Sequence, residues 1–270
     1  MKTLAIYSDG HTNSYVGLAK PERLRLDNGD IVSAGEVRRF IFHTFEDILE
    51  QVDKRKRGDL YSVLNGDAGE GDYKGRTTTI ISRDAAQIQK YMNDVYAPIF
   101  QMSKGVWVVR GTEAHVGCNG ALEESLAANF RNTIKDKNTD SWQALFLNID
   151  GVTMDIMHHP KGSGTSRPMN SQGLVDRLAS DALFEYANAG DAPPQLVVRS
   201  HLHGYKDSHN AFRTRAIITP PLSLLTPYNY RSGINHENAL GCILIHCENG
   251  QYEVEPIIMK ARKQTWQVVK

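Results

Sequence analysis

Residues 3–11 read TLAIYSDGH, a short apolar run that stops abruptly at Asp9, Gly10 and His11. The pattern recurs along the chain. Tyr61–Leu64 runs into Asn65-Gly66-Asp67, with Glu70 three residues on. Val106–Val109 leads to Arg110-Gly111-Thr112-Glu113-Ala114-His115. Val152–Met157 leads to His158-His159-Pro160, and Gln195–Val198 to Arg199-Ser200-His201-Leu202-His203. Short apolar runs of this kind predict buried strands. In open α/β sheets, ligands bind outside the carboxyl ends of the strands. Strand ends that all carry His, Asp or Glu therefore predict a single shared site.

Amphipathic stretches separate the runs and predict an α/β fold. The clearest helix is Gly35–Val52, where Val37, Ile41, Phe45, Ile48 and Val52 recur at helical spacing and Ser33 with Glu36 suggests a capping box. Phe40, Phe42 and Phe45 read as helix-packing residues. Further helices are expected over Asp84–Tyr96, Ala121–Arg131 and Ser171–Asn188, the last with Leu174, Leu178 and Ala182 on one face. Glu22–Val32 suggests a small hairpin around Asn28-Gly29, an excursion that covers the site. Later strands are expected at Arg215–Thr219, Ala239–Cys247 and Gln251–Met259, and this C-terminal run suggests a second, mixed or antiparallel sheet. With no repeat or linker, residues 1–270 read as one domain. Thr219–Gly233 reads as a connecting loop or a cleft lining that carries Tyr228, Tyr230 and Arg231.

Lys+Arg and Asp+Glu both number 31, so no global basic field points to nucleic acid, although a local patch would suffice. The Lys54–Arg57 run follows a helix and is explained by helix-dipole complementarity and solvation. No run approaches a membrane span, and the apolar start is too short for a signal peptide. Cys118, Cys242 and Cys247 cannot all pair, which suggests reduced thiols and a cytoplasmic setting.

In an extended segment, residues i and i+2 point the same way. Asp9 with His11, and His201 with His203, would then each form a chelating pair. Gly10, Gly66 and Gly111 permit tight turns. Mixed imidazoles and carboxylates suit Mn, Fe, Zn, Co or Ni better than Ca. Glu70 reads as orienting a ligand or its loop, and His159 as a supporting residue or substrate contact. His43, His209, His236 and His246 fall outside the clusters and read as surface or core histidines.

The ordered set Asp-x-His, Gly-Asp-x-x-Glu, Gly-x-x-x-His, His-x-Pro and His-x-His, from Asp9 to His203, resembles the calcineurin-like metallophosphoesterases. The resemblance implies a four-layer α/β/β/α sandwich of two mixed β-sheets flanked by helices. It also implies two divalent metal ions, with Mn favoured and Zn, Fe, Co or Ni as alternatives. Asp9, His11 and His203 would hold one ion, His158 and His201 the other, and Asp67 would bridge them. His158 is preferred to His159 because it precedes the proline by two.

The third motif departs from the family's Gly-Asn-His-Asp/Glu. Here no Asn follows Gly111, and the histidine is displaced by two residues. Thr112 or Glu113 takes the Asn place, and His115 either serves as the catalytic histidine or replaces Asn as a ligand. The implied activity is hydrolysis of a phosphate ester by a metal-bridging hydroxide. His115 would donate a proton to the leaving oxygen, and Arg110 would contact phosphate. A phosphodiesterase or nuclease is favoured, because a diester site tolerates a rearranged second metal shell. A phosphomonoesterase and a non-catalytic metal-binding module are the alternatives. The partners expected are a phosphate-ester substrate, a nucleic acid or nucleotide among them, and no membrane. With no Walker-type loop or Gly-x-Gly-x-x-Gly turn, no nucleotide cofactor is expected.

Overall fold

The computed structural model describes residues 1–22, 24–75, 77–160, 172–226 and 239–261. The elements in chain order are β1 (Lys2–Tyr7), the hairpin β2 (Leu24–Arg25) and β3 (Ile31–Val32), α1 (Glu36–Arg55), β4 (Asp59–Asn65), α2 (Ala85–Met102) and β5 (Gly105–Val109). Next come α3 (Glu113–Val116), α4 (Ala121–Ala128), β6 (Leu145–Ile149), β7 (Val152–Ile156) and α5 (Gln172–Ala189). β8 (Leu196–Arg199), β9 (Lys206–Asp207), β10 (Arg215–Ile218), β11 (Ala239–Glu248) and β12 (Gln251–Lys260) complete the order.

The first large sheet has the order β12-β11-β1-β4-β5 and the second β6-β7-β8-β10-β9. Both are mixed. β1, β4 and β5 run parallel, as do β7, β8 and β10, and the outer strands join antiparallel. A parallel strand covered on both faces reads as an unbroken apolar run, which is why the strands that carry the site were visible in the sequence. Leu4, Ile6, Val63 and Val109 of one sheet pack against Val152, Ile156, Leu196 and Val198 of the other. On the far side of the first sheet, Ala5, Tyr7 and Leu64 meet Phe45, Ile48, Met92 and Leu126 of α1, α2 and α4. On the far side of the second, Val197 and Ala216 meet Leu174, Leu178 and Ala182 of α5. These three apolar interfaces make the chain a four-layer α/β/β/α sandwich.

Several local expectations are corrected. Of the C-terminal strands, β10 joins the second sheet, whereas β11 and β12 extend the first, with β11 antiparallel along β1 where its edge would have been open. α1 has no capping box, because its N-cap is Gly35 and no side chain caps it. Val37 is half exposed and Phe40 lies on the surface, while Phe45 is buried. β6 was not anticipated. Its residues alternate between buried and exposed, with Phe146 outward, so it lacks the continuous apolar signature of its neighbours. The hairpin turns at Gly29, whose φ is +89°, but Asp27 in its turn binds Ser82 and Arg83 rather than the site. Cys118, Cys242 and Cys247 are unpaired. Tyr228, Tyr230 and Arg231 lie outside the described residues, and among those described no helix is long and apolar enough to cross a membrane.

Candidate metal centre

The loops after β1 and β4 continue the parallel ladder beyond the strands. Asp9 N donates to Gly66 O at 3.0 Å, His11 N to Asp67 O at 2.9 Å and Thr12 N to Ala68 O at 3.0 Å. Within these loops the backbone is left-handed at Asp9 (φ 52°), His11 (43°) and Asp67 (50°), and after β8 at His201 (72°) and His203 (51°). A left-handed residue breaks the alternation of an extended strand and turns its side chain back over the sheet edge. Two glycines make room. A Cβ on Gly66 would strike the His158 ring, with the ring's own Cβ at 2.7 Å, and a Cβ on Gly111 would strike the Asp67 backbone and carboxylate. The buried Glu123 carboxylate accepts from Ala68 N at 3.1 Å and Gly111 N at 2.6 Å, holding the two loops together.

Six sequence-selected residues, Asp9, His11, Asp67, His158, His201 and His203, converge at this edge. Asp9, His11 and His203 form one donor group, and Asp9, Asp67 and His158 a second that shares Asp9. His11 Nε2 faces His203 Nε2 at 3.2 Å. His203 Nε2 is 3.7 Å from Asp9 Oδ1. His158 Nε2 is 3.0 Å from Asp67 Oδ2 and 3.9 Å from Asp9 Oδ1, and His201 Nδ1 is 3.8 Å from Asp67 Oδ2. The other ring nitrogens fix the tautomers. His158 Nδ1 lies 2.8 Å from Asn65 O, and His11 Nδ1 lies 2.6 Å from Glu70 Oε2, so both present Nε2 to the centre. Glu70 Oε1 also binds His115 Nδ1 at 2.8 Å. One carboxylate thus orients both histidines.

The electrostatics are those of a place for cations. Asp9 Oδ1 is buried without a hydrogen-bond partner, which is costly unless something compensates. Burial opposes charge on His11, yet its bond to Glu70 and the nearby Asp67 and Asp9 raise it to about 9. Burial likewise opposes charge on His158, but Asp67 carries it up to about 10. Burial alone would raise the Asp67 carboxyl, but charged His158 beside it holds it well below the usual range. Burial outweighs the pull of Asp9 on His203 and lowers it to about 4. Burial and then repulsion from Asp67 raise Glu123 to about 8. The donor set fits divalent cations: two imidazole nitrogens on one tetrahedral ion at 2.0–2.1 Å would stand ~3.3 Å apart, close to the separation of His11 and His203.

Not every expected role survives. His201 and His203 do not form a joint chelating pair; their left-handed turns send His203 to Asp9 and His11, and His201 toward Asp67. The Arg110 guanidinium donates from Nε to Ser141 Oγ at 2.7 Å and from Nη2 to Glu124 Oε2 at 3.3 Å, which ties it to the 140–141 loop. Thr112, rather than Glu113, touches the centre. Its N donates to Asp67 Oδ1 at 2.6 Å, and its Oγ1 lies 3.1 Å from Asp67 Oδ2. The role of Glu123 was invisible in the sequence, because an acidic residue in a helix's first turn reads as a dipole complement.

No family model matches the chain, and no curated protein does. Among solved structures it is similar to wild-type Vps29 complexed with Zn2+ from Entamoeba histolytica, at 9% identity and a TM-score of 0.45 over 95% of this chain and 98% of that one. Vps29 from Chaetomium thermophilum gives 11% and 0.42 over 97% and 100%. Vacuolar Protein Sorting 29 from Cryptosporidium parvum gives 10% and 0.44 over 96% and 98%. At these identities the roles of residues are read from this chain alone.

Proposed function

We propose that this protein is a metal-dependent phosphoesterase that hydrolyses a phosphodiester, with nucleic acid or a nucleotide among the candidate substrates. The observation that carries the reading is the buried Asp9 Oδ1, which has no hydrogen-bond partner and lies 3.9 Å from His158 Nε2 and 3.7 Å from His203 Nε2 within a ring of imidazoles and carboxylates. The resemblance of the ordered motifs to the calcineurin-like metallophosphoesterases supports it.

Asp9, His11 and His203 would hold one divalent ion, His158 and His201 the other, and Asp67 both. Two such ions polarise phosphoryl oxygens and lower the pKa of water enough to yield hydroxide near neutral pH. The remaining work falls to the chain. Thr112 N and Oγ1 fix the Asp67 carboxylate. Glu70 grips His11 and His115 through their Nδ1 atoms, which leaves His115 Nε2 to deliver a proton to the departing oxygen. His115 is one-third exposed, so a substrate can reach it from solvent.

The test is a Mn-supplemented assay of bis-p-nitrophenyl phosphate, p-nitrophenyl phosphate and single-stranded DNA. Faster turnover of the diester supports the reading. Preference for the monoester makes the protein a phosphomonoesterase, and no turnover of any of the three makes it a metal-binding module.

A further inference from the structure

His159 has no part in that scheme, yet it stands at the centre's rim with two other imidazoles. Its ring centroid is 4.8 Å from that of His158 and 4.6 Å from that of His201, with His158 and His201 5.2 Å apart. No two of the rings stack; the planes cross at 89°, 48° and 74°. Their nitrogens instead converge, and all three residues offer a donor atom within 4.8 Å of one another. Thr112 Oγ1 lies among them, 3.0 Å from His159 Nε2, 3.3 Å from His201 Nδ1 and 3.1 Å from Asp67 Oδ2. A hydroxyl can donate one proton and accept two, so Thr112 donates to Asp67 and holds both rings beside that carboxylate.

We propose that His159 is a ligand of the second ion. That ion is then held by three imidazoles, His158, His159 and His201, with Asp67 shared, whereas the first has Asp9, His11, His203 and Asp67. The inference rests on the two-ion reading above and goes beyond it, because the two positions now differ in donor type. Imidazole suits Zn or Ni, while carboxylate oxygen suits Mn. The second position therefore discriminates for zinc over Mn more strongly than the first, so as Mn is raised zinc leaves the first position before the second.

The experiment uses the full chain freed of metal by chelation, loaded with Zn2+ and dialysed against stepwise increasing Mn2+. Zinc and manganese per chain are read by elemental analysis, and the Co2+-loaded protein by its visible absorption. Wild type should pass through one ion of each kind. His159→Ala should lose the retained zinc, with at least about a tenfold weaker affinity at that position, and change the cobalt spectrum; His43→Ala, on an exposed side chain, should do neither. His159→Gln gives the same readout should the alanine variant fail to fold. Zinc retention and a cobalt spectrum unchanged in the variants overturn the role of His159 while leaving the two-ion centre intact. A wild type that binds no ions sinks both.

Discussion

Gly111→Ala adds one methyl group and tests the placement of the whole centre. The new Cβ would lie 2.9 Å from Asp67 Cα and closer still to Asp67 N and Oδ1. Carbon atoms in contact normally stand ~3.5 Å or more apart, so the Cα alone demands over half an ångström of movement and the backbone nitrogen more. Neither loop yields easily. Asp67 is tied by its carbonyl to His11 N, and Glu123 clamps Gly111 N together with Ala68 N. Overpacking of this kind costs ~1–3 kcal/mol, which for a chain of this size lowers Tm by roughly 2–12 °C. The functional loss should be larger in proportion, because a displacement of ~1 Å at a reacting centre costs about 100-fold in rate. Gly35→Ala is the matched control, since a Cβ there meets nothing within 4 Å. Thermal melts and metal titrations of the two variants decide the matter. A Gly111→Ala protein with wild-type Tm, metal affinity and turnover refutes the packing of Gly111 on Asp67.

Asp67→Asn keeps the side chain's shape but removes the shared charge, so both ions should be lost together and turnover should fall roughly 1,000-fold, equivalent to ~4 kcal/mol; two ions still tightly bound by elemental analysis count against the assignment. His115→Ala should lower turnover by about 100- to 10,000-fold with metal content unchanged, and full activity would show that another group protonates the leaving oxygen. The metal-free protein should melt at progressively lower temperature as pH rises from about 6.5 to 10. In that window Glu123 (about 8), His11 (about 9) and His158 (about 10) keep protons that the unfolded chain has lost, so stability declines with pH. His159 and His203, both lowered to about 4, work the other way only below that window. A Tm in EDTA that climbs between pH 7 and 10 contradicts this charge arrangement.

The strands bearing the centre were legible because β1, β4, β5, β7 and β8 are covered on both faces and end where the polar residues begin. β6, on a sheet edge, has no such contrast. α2 was expected to stop at Tyr96, but it runs on through Pro98 to Met102, where burial of Ile99 and Phe100 outweighs proline's penalty within a helix. The ligand candidates were legible as residue types, and the resemblance already put His201 and His203 on different ions. Strand alternation by itself paired the two, whereas backbone turns of the opposite hand separate them. No residue pattern marks such a turn at a His or Asp, since only glycine adopts it freely. Glu123 escaped for a related reason: its role comes from a clamp between two loops far apart in the chain.

Those turns bear on how the centre works. Among the described residues, five of the ten non-glycine positions with positive φ are Asp9, His11, Asp67, His201 and His203, so strain is concentrated where the donors are. At ~1–3 kcal/mol each, the total rivals the ~5–15 kcal/mol that stabilises a whole domain. It persists because the surroundings over-determine each residue: the ladder from Asp9 N to Gly66 O and from His11 N to Asp67 O, the Glu123 clamp, and Asp9 Oδ2 accepting from His201 N at 3.2 Å. The fold therefore bears the cost of aligning like-charged and lone-pair-bearing atoms before any ion arrives. An ion then meets donors already turned toward it, and its binding energy is not consumed in rearranging the backbone.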